Sequence, residues 1–211
     1  MENMENTSDV QQEGGKEQQV DVRAAKAKKV EDAQNTILSY LHDLVFLLVG
    51  LLLLFVMLFR IVVVSGPSMR DTLRNGDYLI VLSSSVYTKP KAGDVVVVSK
   101  DSFKNGEPIV KRVIATGGQT VRIEGGVVYV DDVPQEGEYT TTGYDLAFPL
   151  KLAEGNIFVL GDNRNESKDS RSSEIGIIDE REVLGKVLFI ALPAPIEGTT
   201  KRDLTRFGAV K

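Results

Sequence analysis

The sequence predicts an all-β body, a β-barrel or sandwich with a small β insertion, behind a single N-terminal membrane-spanning helix. Three observations predict it. Residues 44–64 are 21 residues of apolar side chains interrupted only by Arg60, about the ~20 that a helix needs to cross a hydrocarbon core. Beyond residue 74, short β-branched runs alternate with Gly, Pro, Asn and Asp, which is the pattern of an all-β sandwich or barrel. No long amphipathic helix is visible in that region.

Residues 1–36 are rich in Glu, Gln, Lys and Asn and poor in large apolar groups. Such a segment buries too little surface to offset its ordering entropy. It is expected to be a disordered cytoplasmic tail, with nascent helix around residues 24–33. Residues 37–64 are expected to form the anchor. A buried core helix of this length would keep a polar face. A cleaved secretory signal is the rival reading, but its apolar region is usually 7–15 residues and lies nearer the start of the chain. Arg60 sits near one end, where its stem can reach the headgroups. Arg23, Lys26, Lys28 and Lys29 precede the run and Arg60, Arg70 and Arg74 follow it. The positive-inside rule then favours a cytoplasmic N-terminus and an extracytoplasmic body over residues 65–211.

Strands are expected at 77–82, 94–99, 109–115, 120–124, 127–130, 156–162 and 183–192. Gly125 and Gly126, between two of these runs, are the signal of a two-residue hairpin. Residues 131–155 lack apolar periodicity and read as an extended loop or small insertion.

Composition narrows the chemistry. There is no cysteine, and the one histidine, His42, precedes the apolar run. Residues 65–211 therefore have no disulfide, no thiol nucleophile and no Ser-His-Asp triad. Cys- or His-based metal sites are excluded as well, and no metal or other cofactor is expected. The same residues carry 19 Lys and Arg against 21 Asp and Glu. Without a basic block, a nucleic-acid partner is not expected.

Three stretches hold the candidate chemistry. The first, VSGPSMRDTLR at 64–74, places Ser68 after Gly66 and Pro67 and before Met69. A serine in a turn is usually structural, but Gly-Pro permits a tight exposed turn with close backbone approach. The second is the strand at 109–115, which contains Lys111 and Arg112. Strand geometry sends these two to opposite faces, so one points towards the buried or groove side, unless the strand is a wet edge. If that residue is Lys111, desolvation favours its neutral amine, a competent base for a serine. Arginine cannot serve, because it stays charged. The third stretch, GDNRNESKDSR at 161–171, is dense in hydrogen-bonding groups. A calcium loop would need a central glycine and a glutamate at its twelfth position, where Ser173 stands. Asp169 and Arg171 could pair to shape the loop, and Ser167 could orient a lysine.

SGPSMRDTL behind a membrane span, then VKRVIATGG, then GDNRNESKDSR followed by Ile175 and Gly176, together resemble the type I signal peptidase family, in its shorter Gram-positive form. The resemblance runs from about residue 44 to 192. It implies a signal-peptidase-like β-fold and a serine endopeptidase with a Ser/Lys dyad. The implied substrates are secreted preproteins, cut after small residues in an Ala-x-Ala pattern at a cell membrane; the partners are those preproteins and the lipid bilayer. By the same resemblance Ser68 is the nucleophile and Lys111 the general base. Ser167 is the hydroxyl that hydrogen-bonds the lysine, and Asp169 and Arg171 are a supporting pair. Gly66 and Met69 flank the oxyanion and substrate side of the serine, and Ile109 and Val110 fall where small-residue pockets are lined. Gly66 stands where some members carry a hydroxyl oxyanion donor. Asn165-Glu166 replaces a common Asp-Asn, and Gly117-Gly118-Gln119 a common Pro-Gly-Asp. A non-catalytic β module displayed on a membrane is the reading from another class.

Overall fold

A computed structural model describes residues 6–70, 72–137, 140, 141 and 143–210. The chain divides into two compact units at Leu54 and Phe55. Helix α1 (Asn6–Leu58) opens the chain. Its segment Gln34–Leu58 is 25 residues long with a mean hydropathy of 2.6 and none of it buried. At 1.5 Å per residue that is about 37 Å, longer than the ~30 Å hydrocarbon core. Residues 6–36, expected to be disordered, are helical and continuous with this segment.

The helix stops at Leu58, not at Val64. Residues expected in the anchor form strand β1 (Phe59–Val63) instead, and Val64 is buried in the body. The cause lies in the side chains: Ile61, Val62 and Val63 are β-branched, and they meet a partner strand. That partner is β2 (Tyr78–Ser83), antiparallel, with Phe59 opposite Leu82 and Val63 opposite Tyr78.

The remaining strands are β3 (Val95–Val98), β4 (Ile109–Thr116), β5 (Thr120–Glu124), β6 (Val127–Val130), β7 (Val133–Pro134), β8 (Leu150–Lys151), β9 (Asn156–Leu160), β10 (Ile178–Asp179), β11 (Val183–Leu192) and β12 (Gly208–Ala209). They make two antiparallel sheets. The larger has the order β1-β2-β11-β3-β4-β9-β10, with β12 on β11. The smaller, β7-β6-β5-β8, is the insertion between β4 and β9. Register shifts in β11 and in β4 curl the larger sheet.

All four valines of β3 are buried, as a continuous apolar run between two covered faces requires. Val95 and Val97 join Met69, Leu73, Leu79, Val81 and Val187 on one side. Val96 and Val98 join Val113, Ile157, Val159 and Ile175 on the other. A third cluster packs the insertion on β4 and β9, through Val121, Val128 and Val130 against Phe158 and Leu160. Gly125 and Gly126 have φ of 55° and 81°, the positive values of a type I′ hairpin turn.

Candidate active site

Ser68 stands on a turn fastened from below. Gly66 takes a φ of 92°, which a side chain would resist. Arg70 N–H donates to Pro67 O at 2.9 Å and Leu73 N–H to Met69 O at 2.6 Å. Met69 and Leu73 are 1% and 0% exposed and lie in the core. Met69, expected on the substrate side, therefore anchors the turn by its side chain.

Lys111 lies in β4 opposite Val96 and is 3% exposed. Its Nζ is 2.7 Å from Ser68 Oγ. Of the two cations that alternate on this strand, the lysine is the one turned to the serine. Ile109 and Val110 are both partly buried; Ile109 packs on the Val96 side of the sheet and Val110 on the Met69 side.

The segment after β9 clasps the turn. Asn163 N–H donates to Ser68 O at 3.1 Å, and Asn163 Nδ2 donates to Pro67 O at 3.2 Å. Asp162 N–H reaches Met69 Sδ at 3.4 Å. Gly161 passes so close that a Cβ there would overlap Ser167 Oγ and Ser68 O. Gly161 N–H in turn donates to Asp169 Oδ2 at 3.0 Å.

Asp169 and Arg171 form a bidentate pair, Nε to Oδ1 at 2.7 Å and Nη2 to Oδ2 at 2.8 Å. Both are buried. Arg171 also donates to Arg164 O at 2.6 Å and Ser167 O at 3.3 Å. The loop is thus wrapped around a buried ion pair whose guanidinium also bonds to Thr140 Oγ1 at 3.3 Å, and such further bonds are the condition under which burial of charge is tolerated.

Ser167 is brought to this place but not to the bond expected of it. Its Oγ is buried without a hydrogen-bond partner among the described residues. The hydroxyl lies over the bare Cα of Gly161, which has nothing to accept from it or donate to it.

Sequence reasoning missed the ion pair on the other face of β4. Arg112 donates to Asp162 from Nε at 2.8 Å and Nη2 at 2.7 Å, and to Gly93 O at 2.8 Å. Thr72 Oγ1 donates to the same carboxylate at 2.5 Å. Burial pushes the Asp162 carboxyl up, but the bonds from Arg112 and Thr72 outweigh it and hold it below the usual carboxylate range. Arg164 was passed over as well. It is buried, donates to Gly161 O at 3.1 Å and packs on Gly137, where a Cβ would meet its guanidinium. The signal available was the charged residue directly beside a candidate, Arg112 after Lys111.

The sequence pattern of the family described as "Signal peptidase, peptidase S26" matches residues 37–192. The chain belongs to this family. Among its relatives, "Signal peptidase I" of Bacillus licheniformis is 32% identical over 178 residues, which cover 79% of this chain and 94% of that one. "Probable signal peptidase I-1" of Synechocystis is 34% identical over 139 residues, 62% of this chain and 70% of that one. A crystal structure of a signal peptidase I from Enterococcus faecalis V583 aligns with a TM-score of 0.38 at 29% identity, over 46% of this chain and 96% of that one. As a member of the signal peptidase family the chain is a peptidase of preproteins that bear signal peptides, and the long apolar helix among the described residues fits the membrane association of the family.

Proposed function

We infer that the protein is a membrane-anchored serine endopeptidase that removes signal peptides with a Ser68/Lys111 dyad, cutting after the second small residue of an Ala-x-Ala sequence. The observation that carries this reading is the 2.7 Å approach of a buried lysine amine to the hydroxyl of Ser68. Burial strips water from an ammonium and favours the neutral amine. The neutral amine accepts the Ser68 proton as Oγ adds to the scissile carbonyl. Collapse of the tetrahedral adduct breaks the C–N bond, and the lysine passes that proton to the departing amine. Water then adds to the ester with Lys111 again taking a proton, and Ser68 leaves with it restored. Ser68 N–H donates to nothing among the described residues, so it is available to the oxyanion.

Gln34–Leu58 is the span in this reading, with the N-terminus cytoplasmic and the body outside. The body carries an apolar face of its own. Ile61 and Val63 of β1 are exposed, as are Tyr78 of β2 and Leu192 of β11. Cross-strand register sets Val63 beside Tyr78 and Tyr78 beside Leu192. Phe207 extends the patch against Phe189, ring centroids 5.5 Å apart. Such a face, beginning three residues after the helix ends, suits the bilayer interface.

The test is cleavage of a preprotein ending its signal in Ala-x-Ala by the protein reconstituted in vesicles. Wild type should cut once, and Ser68→Ala, Lys111→Ala and Lys111→Arg should be inactive while folded. Activity retained in both Ser68→Ala and Lys111→Ala would sink the dyad.

A further inference from the structure

A cleft of about 700 Å3 opens beside the nucleophile turn, on a flank that neither Ser68 nor Lys111 lines. Gly66, Pro67, Arg70 and Arg74 form one wall, and Ile196 and Glu197 belong to the other.

Place and charge both bear on its use. A peptide lying across Ser68 has two halves, one that becomes the acyl group and one that leaves as the amine. Ile109 and Val110 are the candidates for holding the first. The cleft starts at Pro67, the residue before the nucleophile, and shares no lining residue with them. It is therefore free to take the leaving half. As for charge, its lining residues include two arginines and one glutamate. Arg70 lies 3.5 Å from Glu166 and Arg74 lies 3.9 Å from Asp203, and both arginine side chains are more than half exposed. Pairs so wet and so long are weak. Either arginine can exchange its partner for a carboxylate brought in by a ligand.

We propose that this cleft binds the first residues of the substrate after the scissile bond, and that Arg70 and Arg74 select for acidic side chains there. The assignment rests on Ser68 being the nucleophile. It gives the two arginines a specificity-determining role distinct from the chemistry of the dyad.

The experiment uses the full chain in neutral detergent micelles and two fluorescent peptides. They are identical up to an Ala-x-Ala site and carry Asp-Glu or Lys-Lys shortly after it. Binding is measured to Ser68→Ala protein, which cannot consume them. The acidic peptide should bind roughly three- to tenfold more tightly at low salt, as two solvated ion pairs allow. The gap should narrow as salt is raised. Arg70→Gln with Arg74→Gln should bring the two affinities together. Arg70→Glu with Arg74→Glu should invert them, and its gain for the lysine peptide reports that this protein is folded. Equal affinities in the Ser68→Ala protein, or a ratio unmoved by either arginine pair, overturn the proposal. So does a preference that appears only when anionic vesicles are added, since the arginines would then serve lipid headgroups. Cleavage by wild type is followed in parallel. If neither peptide is cut, the protease reading falls, while the binding ratio still decides the cleft.

Discussion

Asp162 grips the guanidinium of Arg112 with both carboxylate oxygens, at 2.8 and 2.7 Å. Arg112 follows Lys111 in β4. Asp162 follows Gly161, and its own N–H rests on Met69 beside Ser68. One ion pair thus ties the strand that holds the amine to the turn that holds the hydroxyl. Thr72, from that same turn, completes it.

Asp162→Asn should therefore harm catalysis beyond its effect on folding. It leaves a partly buried guanidinium without its charge partner, a loss of about 1–3 kcal/mol for side chains that retain some solvent contact. A displacement of Ser68 from Lys111 by ~1 Å would, in the proposed reading, lower kcat by about 10²-fold. Urea denaturation and steady-state kinetics separate the two effects. Arg112→Lys should act in the same direction, because an ammonium cannot reproduce the two-pronged contact.

Gly161→Ala should lower kcat by about tenfold to a hundredfold with the sheet intact. The added methyl has to displace both the Ser167 side chain and the Ser68 carbonyl. Combining it with Ser167→Gly should recover only part of the loss, because the clash with the Ser68 backbone persists. Circular dichroism and kcat on the single and double variants are the measurements.

Acid should destabilise the body through two carboxylates. Burial pushes Asp77 up, but bonds from Arg206 and from the N–H groups of Arg74 and Ala194 outweigh it and hold its carboxyl low. Asp162 is held low in the same way. A carboxyl lowered by folding adds stability above its unfolded value of ~3.9, and that stability is lost as pH falls from there through the folded value. Melting temperature should thus be flat from neutrality to about pH 5 and drop below about pH 4. Arg206→Ala should cost about 3–5 kcal/mol at pH 7, since Asp77 is then buried without its cation. Its acid limb should be shallower than wild type, and a limb equally steep would show that Arg206 does not set it.

The apolar face can be read by fluorescence, because the chain contains no tryptophan. Phe207→Trp in vesicles should emit to the blue and be quenched by lipids brominated on their acyl chains. Val133→Trp, exposed on β7 of the insertion, should be insensitive to the same lipids. Equal quenching at both positions would remove the assignment of this face to the bilayer.

Seven strands were legible because each carries several β-branched residues between turn residues. The four valines of β3 even announce that both its faces are covered. Strands β7, β8, β10 and β12 were not, since two residues have no period to detect. Strand β1 was hidden for another reason: a β-branched run at the end of an apolar helix has the same hydropathy as the helix. At the site, the absence of cysteine and of any later histidine led from Ser68 to a lysine, and the structure brings Lys111 to it. The partner of Arg112 is 50 residues away, a separation at which no local pattern couples two charges. Nor could spacing tell that Ser167 would face a glycine and end without a hydrogen bond.

Strand β1 has one more consequence. Nine residues lie between Leu58, where α1 ends, and Ser68, and five of them are paired residue by residue with β2. Val64 then donates to Asp77 O, and the turn beyond is pinned by its own bonds. These bonds fasten Ser68 to the sheet of the body. In the proposed reading the nucleophile does not move within the body, and which bond is cut is decided by where the substrate is laid along it.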